Sequence, residues 1–226
     1  MHPVLDIWEH AAVTDGRELV LPDGCRDLII VEEPGGVRDA FVSELHAVPH
    51  LARIAAGSRL TGFRLRPGSV VDETRLLARL RQRSNDPDRV GDLLEEHAGC
   101  AADVGEALTG IESGAATGPQ AVATRLGVSL RSLQRLFRDN SLPAPGFWLQ
   151  LARARRAALM LGREPDVSLA DAAAVAGYAD QAHMTRAFRR FFGATPARLI
   201  RDPARLDLVL QPGLATPATG EQISTR

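Results

Sequence analysis

One local pattern occurs twice, about fifty residues apart, and it sets what the C-terminal half of this chain can fold into. In the first copy Gln120-Ala-Val-Ala-Thr-Arg-Leu126 has helical spacing, Gly127 breaks it, and Ser129 stands where an N-cap precedes Leu130-Arg-Ser-Leu-Gln-Arg-Leu-Phe137. In the second, Leu169-Ala-Asp-Ala-Ala-Ala-Val-Ala176 stops at Gly177, and Asp180 caps Gln181-Ala-His-Met-Thr-Arg-Ala-Phe-Arg-Arg-Phe191. Each glycine permits a sharp bend, and Ala123 and Ala173, four residues earlier, are small enough to let two helices approach. Two helix-turn-helix units are therefore expected.

The second helix of each unit carries an apolar ladder and a polar face. Leu133, Leu136 and Phe137 form one ladder, and Met184, Ala187, Phe188 and Phe191 the other. The free faces display Arg131, Gln134, Arg135 and Arg138 in the first copy, and Gln181, His183, Thr185, Arg186, Arg189 and Arg190 in the second. Arginine and glutamine have paired donors and acceptors that fit guanine and adenine edges in a major groove. Phe188, Phe191 and Phe192, at helical spacing behind a basic face, read as core rather than as a base-stacking platform.

Ser129-Leu-Arg-Ser-Leu-Gln-Arg-Leu-Phe137 resembles the first recognition helix of AraC-type transcription regulators. Ala173 to Pro196, closing on Gly193-Ala-Thr-Pro196, resembles that family's signature, with Tyr178 and Met184 where phenylalanine is more usual. The resemblance covers about eighty residues and two motifs in order, which is far more specific than a single helix-turn-helix match. It implies a non-enzymatic regulator that binds double-stranded DNA, and RNA polymerase as a partner if it activates. Carried onto this chain, it and the exposed faces assign base reading to Arg131, Gln134, Arg135, Gln181, His183 and Arg186. Phosphate contacts go to Ser129, Thr185, Arg138, Arg189 and Arg190.

The net charge of −1 looks wrong for a DNA binder until it is divided along the chain. Residues 118–202 hold thirteen Arg against six Asp and Glu, a net of +7 that leaves −8 for the rest. Positive charge coincides with the repeated motif, as phosphate binding requires. With 226 residues, two modest domains each have enough chain to bury a core. Cys25 and Cys100 lie far apart, and Met-His-Pro-Val-Leu-Asp is no secretory leader, so a cytoplasmic setting is expected. No apolar run approaches the roughly 20 residues that cross a bilayer, so no membrane partner is expected.

Residues 4–67 read as short strands at 4–8, 18–21, 28–31, 40–45 and 60–65, punctuated by turn signals such as Pro22-Asp-Gly24 and Pro34-Gly-Gly36. Alternation in Thr61-Gly-Phe-Arg-Leu-Arg66 puts Phe63 and Leu65 inward and Arg64 and Arg66 outward. Leu21-Pro-Asp-Gly-Cys-Arg-Asp-Leu-Ile-Ile30 and Gly62-Phe-Arg-Leu-Arg-Pro-Gly68 resemble the reduced, cupin-like N-terminal domains of some AraC-type regulators. By analogy that implies a sensor or oligomerisation module, controlled by a small-molecule effector or by dimerisation, with Cys25, Arg26, His46 and Arg64 as effector-pocket candidates.

Helical spacing returns over 72–83 and 88–111, with Asp86-Pro87 between. Leu76, Leu77, Leu80, Leu93 and Leu94 either cover the sheet or form a homodimer contact. Ser113-Gly-Ala-Ala-Thr-Gly118 has the composition of a flexible linker. Gly146 to Leu161 reads as an amphipathic helix holding the two units apart over about 24 Å, with Arg153, Arg155 and Arg156 expected to be solvated rather than to meet phosphate or acidic side chains.

The fold class expected is α+β: a small N-terminal sheet or cupin-like barrel with a helical extension over 1–112, a linker at 113–118, and an all-α domain with two helix-turn-helix units over 119–202. A tail over 203–226 is expected to be largely disordered from about Pro212. No cofactor, metal or catalytic residue is expected. His46 and His50 lack a third ligand, Cys25 reads as a packed thiol, and Asp23 and Asp27 read as turn carboxylates. Two other classes stay open: a cupin-like enzyme on a DNA tether, which requires a metal set that cannot be assembled here, and an architectural DNA protein with little sequence preference.

Overall fold

The computed structural model describes residues 2–36, 38–81, 87–164, 166–216 and 224–225. The chain opens with β1 (Val4–Ala11), β2 (Gly16–Val20), β3 (Asp27–Glu32), β4 (Arg38–Val42), β5 (His50–Ile54), β6 (Arg59–Leu65) and the two-residue β7 (Val70–Val71). Then come α1 (Glu73–Arg81), α2 (Pro87–His97), β8 (Ala98–Gly99) and α3 (Ala102–Glu112). The helical half comprises α4 (Pro119–Arg125), α5 (Leu130–Asp139), α6 (Pro145–Arg163), α7 (Leu169–Val175), α8 (Gln181–Phe192), α9 (Pro196–Leu199) and α10 (Pro203–Leu210). A last strand, β9 (Ser224–Thr225), runs parallel to β1. The expected α+β class and all five expected strands are present. The separator Asp86 and the expected extension of the first helix to Arg83 lie outside the described residues.

The main sheet has the order β4-β3-β6-β1-β9, with β6 antiparallel to both β3 and β1. Its centre needs a glycine at position 62, because a Cβ there would overlap the Trp8 indole lying across it. Leu28, Ile30, Phe63 and Leu65 project from one face into a cluster with Leu76, Leu80, Val90, Leu93 and Leu94 of α1 and α2. Those leucines are buried against their own sheet and Leu77 packs beside them, so they cover it instead of offering a dimer contact. The opposite face, with Trp8, Ile29, Val31, Leu60 and Arg64, looks into a cleft whose far wall is the β2–β5 pair.

This second covered face corrects the reading of Arg64. Alternation separates it from Phe63 and Leu65 as expected, but its side of the sheet is not solvent, and Arg64 is 3% exposed. Strand β5 escaped the sequence reading because Pro49 precedes it and its inward residues, His50, Ala52 and Ile54, carry little apolar signal.

The core divides before α3, not after it. Val104, Ala107, Leu108 and Ile111 join the helical cluster around α6, and Ala116 of the expected linker is 5% exposed within it. Arg156 donates from Nη1 to the carbonyls of Ile111 and Glu112 at 3.1 and 3.3 Å, capping the C-terminal end of α3. Arg153 donates to the Thr117 carbonyl at 3.1 Å. Residues 113–118 are thus packed against α6 rather than strung between domains.

The segment after Arg201 also departs from expectation. Asp202 caps α10 by accepting from the Arg205 N–H at 3.1 Å, and Val209 and Leu214 bury into the helical core. Apolar residues at 206, 209 and 210 make one helical face, a signal masked by the Pro and Ala around them. Residues 217–223 and 226 of the expected tail lie outside the described residues.

Candidate nucleic-acid interface and the cleft beside it

The two repeated units are built alike to the level of single hydrogen bonds. In the first, the Gly127 and Val128 N–H groups donate to the carbonyls of Thr124 and Ala123 at 3.1 and 3.0 Å. In the second, Gly177 and Tyr178 donate to Ala174 and Ala173 at 3.0 and 2.9 Å. Both glycines have positive φ, 66° and 76°, which an L side chain would strain. Ala123 and Ala173 are fully buried where the helices meet. The turn of the second unit is one residue longer, so equivalent positions lie fifty apart up to the glycine and fifty-one apart from the caps onward.

The caps fix where each outer helix begins. Ser129 accepts from the Ser132 N–H at 3.0 Å, and Asp180 accepts from the His183 N–H at 2.6 Å, each satisfying a donor with no intrahelical partner. Leu133 and Phe137 then bury on α5, and Met184 and Phe188 at the equivalent places on α8. The register leaves Arg135 and Arg186 exposed at matching positions, and likewise Arg138 and Arg189.

The remaining expected contact residues divide by environment. Arg131, Gln134 and Gln181 are exposed. His183 is half-buried, its ring edge-on to Tyr178 with centroids 5.1 Å apart. Ser129 spends its hydroxyl on the cap and on Ser132, and Thr185 donates to the Gln181 carbonyl at 2.8 Å. Arg190 donates to Gln150 of α6 at 2.7 Å and stacks over Phe191. Arg138 lies 3.4 Å from Asp139.

Helix α6 holds the two units. Trp148, Leu151, Ala152, Ala154, Ala157 and Ala158 are fully buried along it. Arg153 reaches over the Tyr178 ring in the second turn, its guanidinium carbon 5.5 Å from the centroid. Tyr178 itself is buried enough that its phenol is pushed up to about 12.

Arg155, expected to be solvated, is 1% exposed. Its Nε donates to the Leu214 carbonyl at 2.8 Å, and Nη2 to the Gln211 carbonyl and Thr216 Oγ1 at 2.5 and 2.9 Å. Burial lowers its basicity, and nearby Asp23 works against that. The loop it grips is held from the other side as well, because Arg64 donates to the Pro212 carbonyl at 2.9 Å and the Leu214 N–H donates to the Asp23 carbonyl at 2.8 Å. A buried arginine in the middle of a basic helix carries no sequence mark that separates it from its exposed neighbours.

Arg64 is the centre of a charged group at the base of the cleft. It lies 2.9 Å from Asp23 and 3.2 Å from Asp27, and Trp8 donates to Asp27 at 2.8 Å. Burial works against its charge, but the two carboxylates outweigh it and hold Arg64 charged above its ordinary range. Cys25 is buried beside them, and burial followed by Asp23 pushes its thiol well up, the opposite of an activated nucleophile.

Cys25, His46 and Arg64 line the cleft. Arg26 does not; it donates to the Ser43 carbonyl at 2.7 Å and pairs with Glu73 at 2.6 Å. His46 and His50 stack at 3.7 Å, and burial together with its partner ring lowers His46. Among the described residues no three His, Cys, Asp or Glu stand where they could hold a metal ion, and no helix is long and apolar enough to cross a membrane.

A helix-turn-helix domain family matches residues 122–202. The transcriptional activator NphR of Rhodococcus sp is 34% identical over 85 residues, 38% of this chain and 25% of that protein. The probable transcription factor PqrA of Proteus vulgaris is 36% identical over 77 residues, 34% of this chain and 62% of that one. The chain therefore spans between a quarter and under two thirds of the length of these relatives. Among solved structures, an AraC-type regulator from Chromobacterium violaceum aligns with a TM-score of 0.40 at 24% identity, over 49% of this chain and 95% of that one. ToxT from Vibrio cholerae aligns with 0.44 at 6%, over 87% and 97%. Both structural likenesses are too weak to bear on function. The repeated units, their caps and the family match together make residues 122–202 of this chain similar to a helix-turn-helix domain.

Proposed function

We propose that this protein is a sequence-specific, DNA-binding transcription regulator that reads one operator with both helix-turn-helix units. The observation that carries the reading is the equivalence of the units: the same turn bonds, the same buried alanine and an exposed arginine at the same point of α5 and α8. A single functional unit would leave no reason for the other to keep a basic outer face. Base reading falls to Arg131, Gln134 and Arg135 on α5 and to Gln181, His183 and Arg186 on α8. Phosphate is met by Arg138 and Arg189, whose guanidinium groups are exposed. Arg190, Ser129 and Thr185 support the frame with bonds of their own and approach phosphate only at the cost of those bonds.

Control is assigned to the N-terminal region, where a small molecule in the cleft shifts DNA affinity by binding the DNA-competent and incompetent states unequally. Selection of bound duplexes from a random library by the full-length protein tests the regulatory reading. Enrichment of one motif is expected, and uniform recovery of all sequences points instead to an architectural protein. Turnover of a small molecule with stoichiometric metal in the purified protein supports the enzyme alternative.

A further inference from the structure

The cleft between the main sheet and the β2–β5 pair has a volume of about 1530 Å³, above the usual range for small-molecule sites. Its floor is apolar and partly aromatic, formed by Trp8, Ile29, Val31, Phe41 and Leu60. Phe41 is 44% exposed, so this surface is not closed by another layer of the fold. A third wall comes from α10 and the residue that follows it, through Asp207, Leu208 and Gln211.

The charged groups around that floor are mostly acidic. Arg64 is matched by Asp23 and Asp27 and leaves no positive surplus. The other acidic lining groups are Asp15, Glu18, Glu33, Glu44 and Asp207. Against them stand Arg17 and Arg53, which face each other across the β2–β5 pair on the same side as Leu51, a residue 55% exposed on the outer surface. Strand alternation puts Glu18 with Val20, Ala52 and His50 on the side opposite both arginines, and the carboxylates still outnumber the arginines around the cleft. Burial and His50 lower the pKa of His46, which disfavours its charged form. Among the described residues neither Glu18 nor Asp207 has a salt-bridge partner. An apolar floor under unpaired carboxylates repels anions and attracts cations, and aromatic rings add to that preference.

We propose that the cleft binds an organic cation with an apolar body the size of several aromatic rings, its charge met by Glu18 from β2 and Asp207 from α10. This deepens the regulatory reading and rests on it for its consequence, while the binding itself does not depend on DNA. A ligand that touches Asp207 and Gln211 touches the helix that runs into the loop gripped by Arg64 and Arg155. Arg155 belongs to the helix between the two DNA-reading units.

Tetraphenylphosphonium and tetraphenylborate have nearly the same size and shape and opposite charge, so the pair isolates the charge preference. With full-length protein in the absence of DNA, calorimetric titration should show the phosphonium bound roughly tenfold or more tightly than the borate. The double substitution Glu18→Gln, Asp207→Asn should remove most of that difference, with the thermal midpoint unchanged because both side chains are exposed. Equal affinity for the two ions, tighter binding of the borate, saturable binding of neither, or selectivity that survives the double substitution each overturns the proposal. Intact phosphonium selectivity in a protein that enriches no DNA motif overturns the regulatory reading alone.

Discussion

Arg135 and Arg186 leave their helices at the same point after the cap and are free to form two bonds to one guanine. Replacing either with Ala should cost roughly 1–3 kcal/mol on the selected operator and relax preference at one base pair, whereas Arg189→Ala should weaken all sequences alike and lower the salt slope by about one unit. Titrations of operator and scrambled duplexes at three salt concentrations separate the two classes. His46 yields a prediction of another kind. Its folded-state pKa is lowered by burial and by His50, so the fold favours the neutral ring. Stability from this group is fully present above the unfolded pKa of about 6.5 and is lost as pH falls from there through the lower folded value. The thermal midpoint of the wild-type protein should drop more steeply between pH 7 and 5 than that of His46→Asn, and parallel curves contradict this. Residue roles were legible where they depend on local spacing, as with Ser129, Asp180 and the turn glycines. Roles that depend on what lies opposite were not: Arg64 and Arg155 read as surface arginines until the second wall of the cleft and the 211–216 loop are in place.

Helix α6 and α10 are the elements that join the parts of the molecule. The 211–216 loop is fastened by Arg155 from α6 and by Arg64 from the sheet, with backbone carbonyls as the acceptors. Arg155→Met should strand those buried acceptors and destabilise the protein by roughly 1–3 kcal/mol. Arg64→Met removes the cation that faces the buried carboxylates Asp23 and Asp27 and should cost more, about 3–5 kcal/mol. Urea unfolding of the two variants checks the order as well as the size. The helices of the repeated units and α6 were legible because their apolar periodicity is uninterrupted. The partnership of α3 with α6 was not, since a small, uncharged stretch after a helix is equally suited to a linker or to close packing; Ala116 packs, and Arg153 and Arg156 hold the backbone around it.

At the scale of the molecule, two hydrophobic clusters carry segregated charge, with +7 concentrated over residues 118–202. The cleft lies on the acidic side and shares α10 with the helical core, so the two are joined through packed elements rather than through a loose tether. Helix α6 holds the second unit through Arg153 on Tyr178 and Gln150 on Arg190, and meets the first where the Trp148 ring lies beside Phe137 of α5. Both helices should then enter successive major-groove segments on one face of the duplex, about 34 Å apart. Inserting five base pairs between the two half-sites of the selected operator turns one half to the opposite face while leaving every base contact available. Affinity of the full-length protein for the inserted duplex should fall to that for random DNA, and unchanged affinity would show that one unit reads the operator alone and the other serves only as structure.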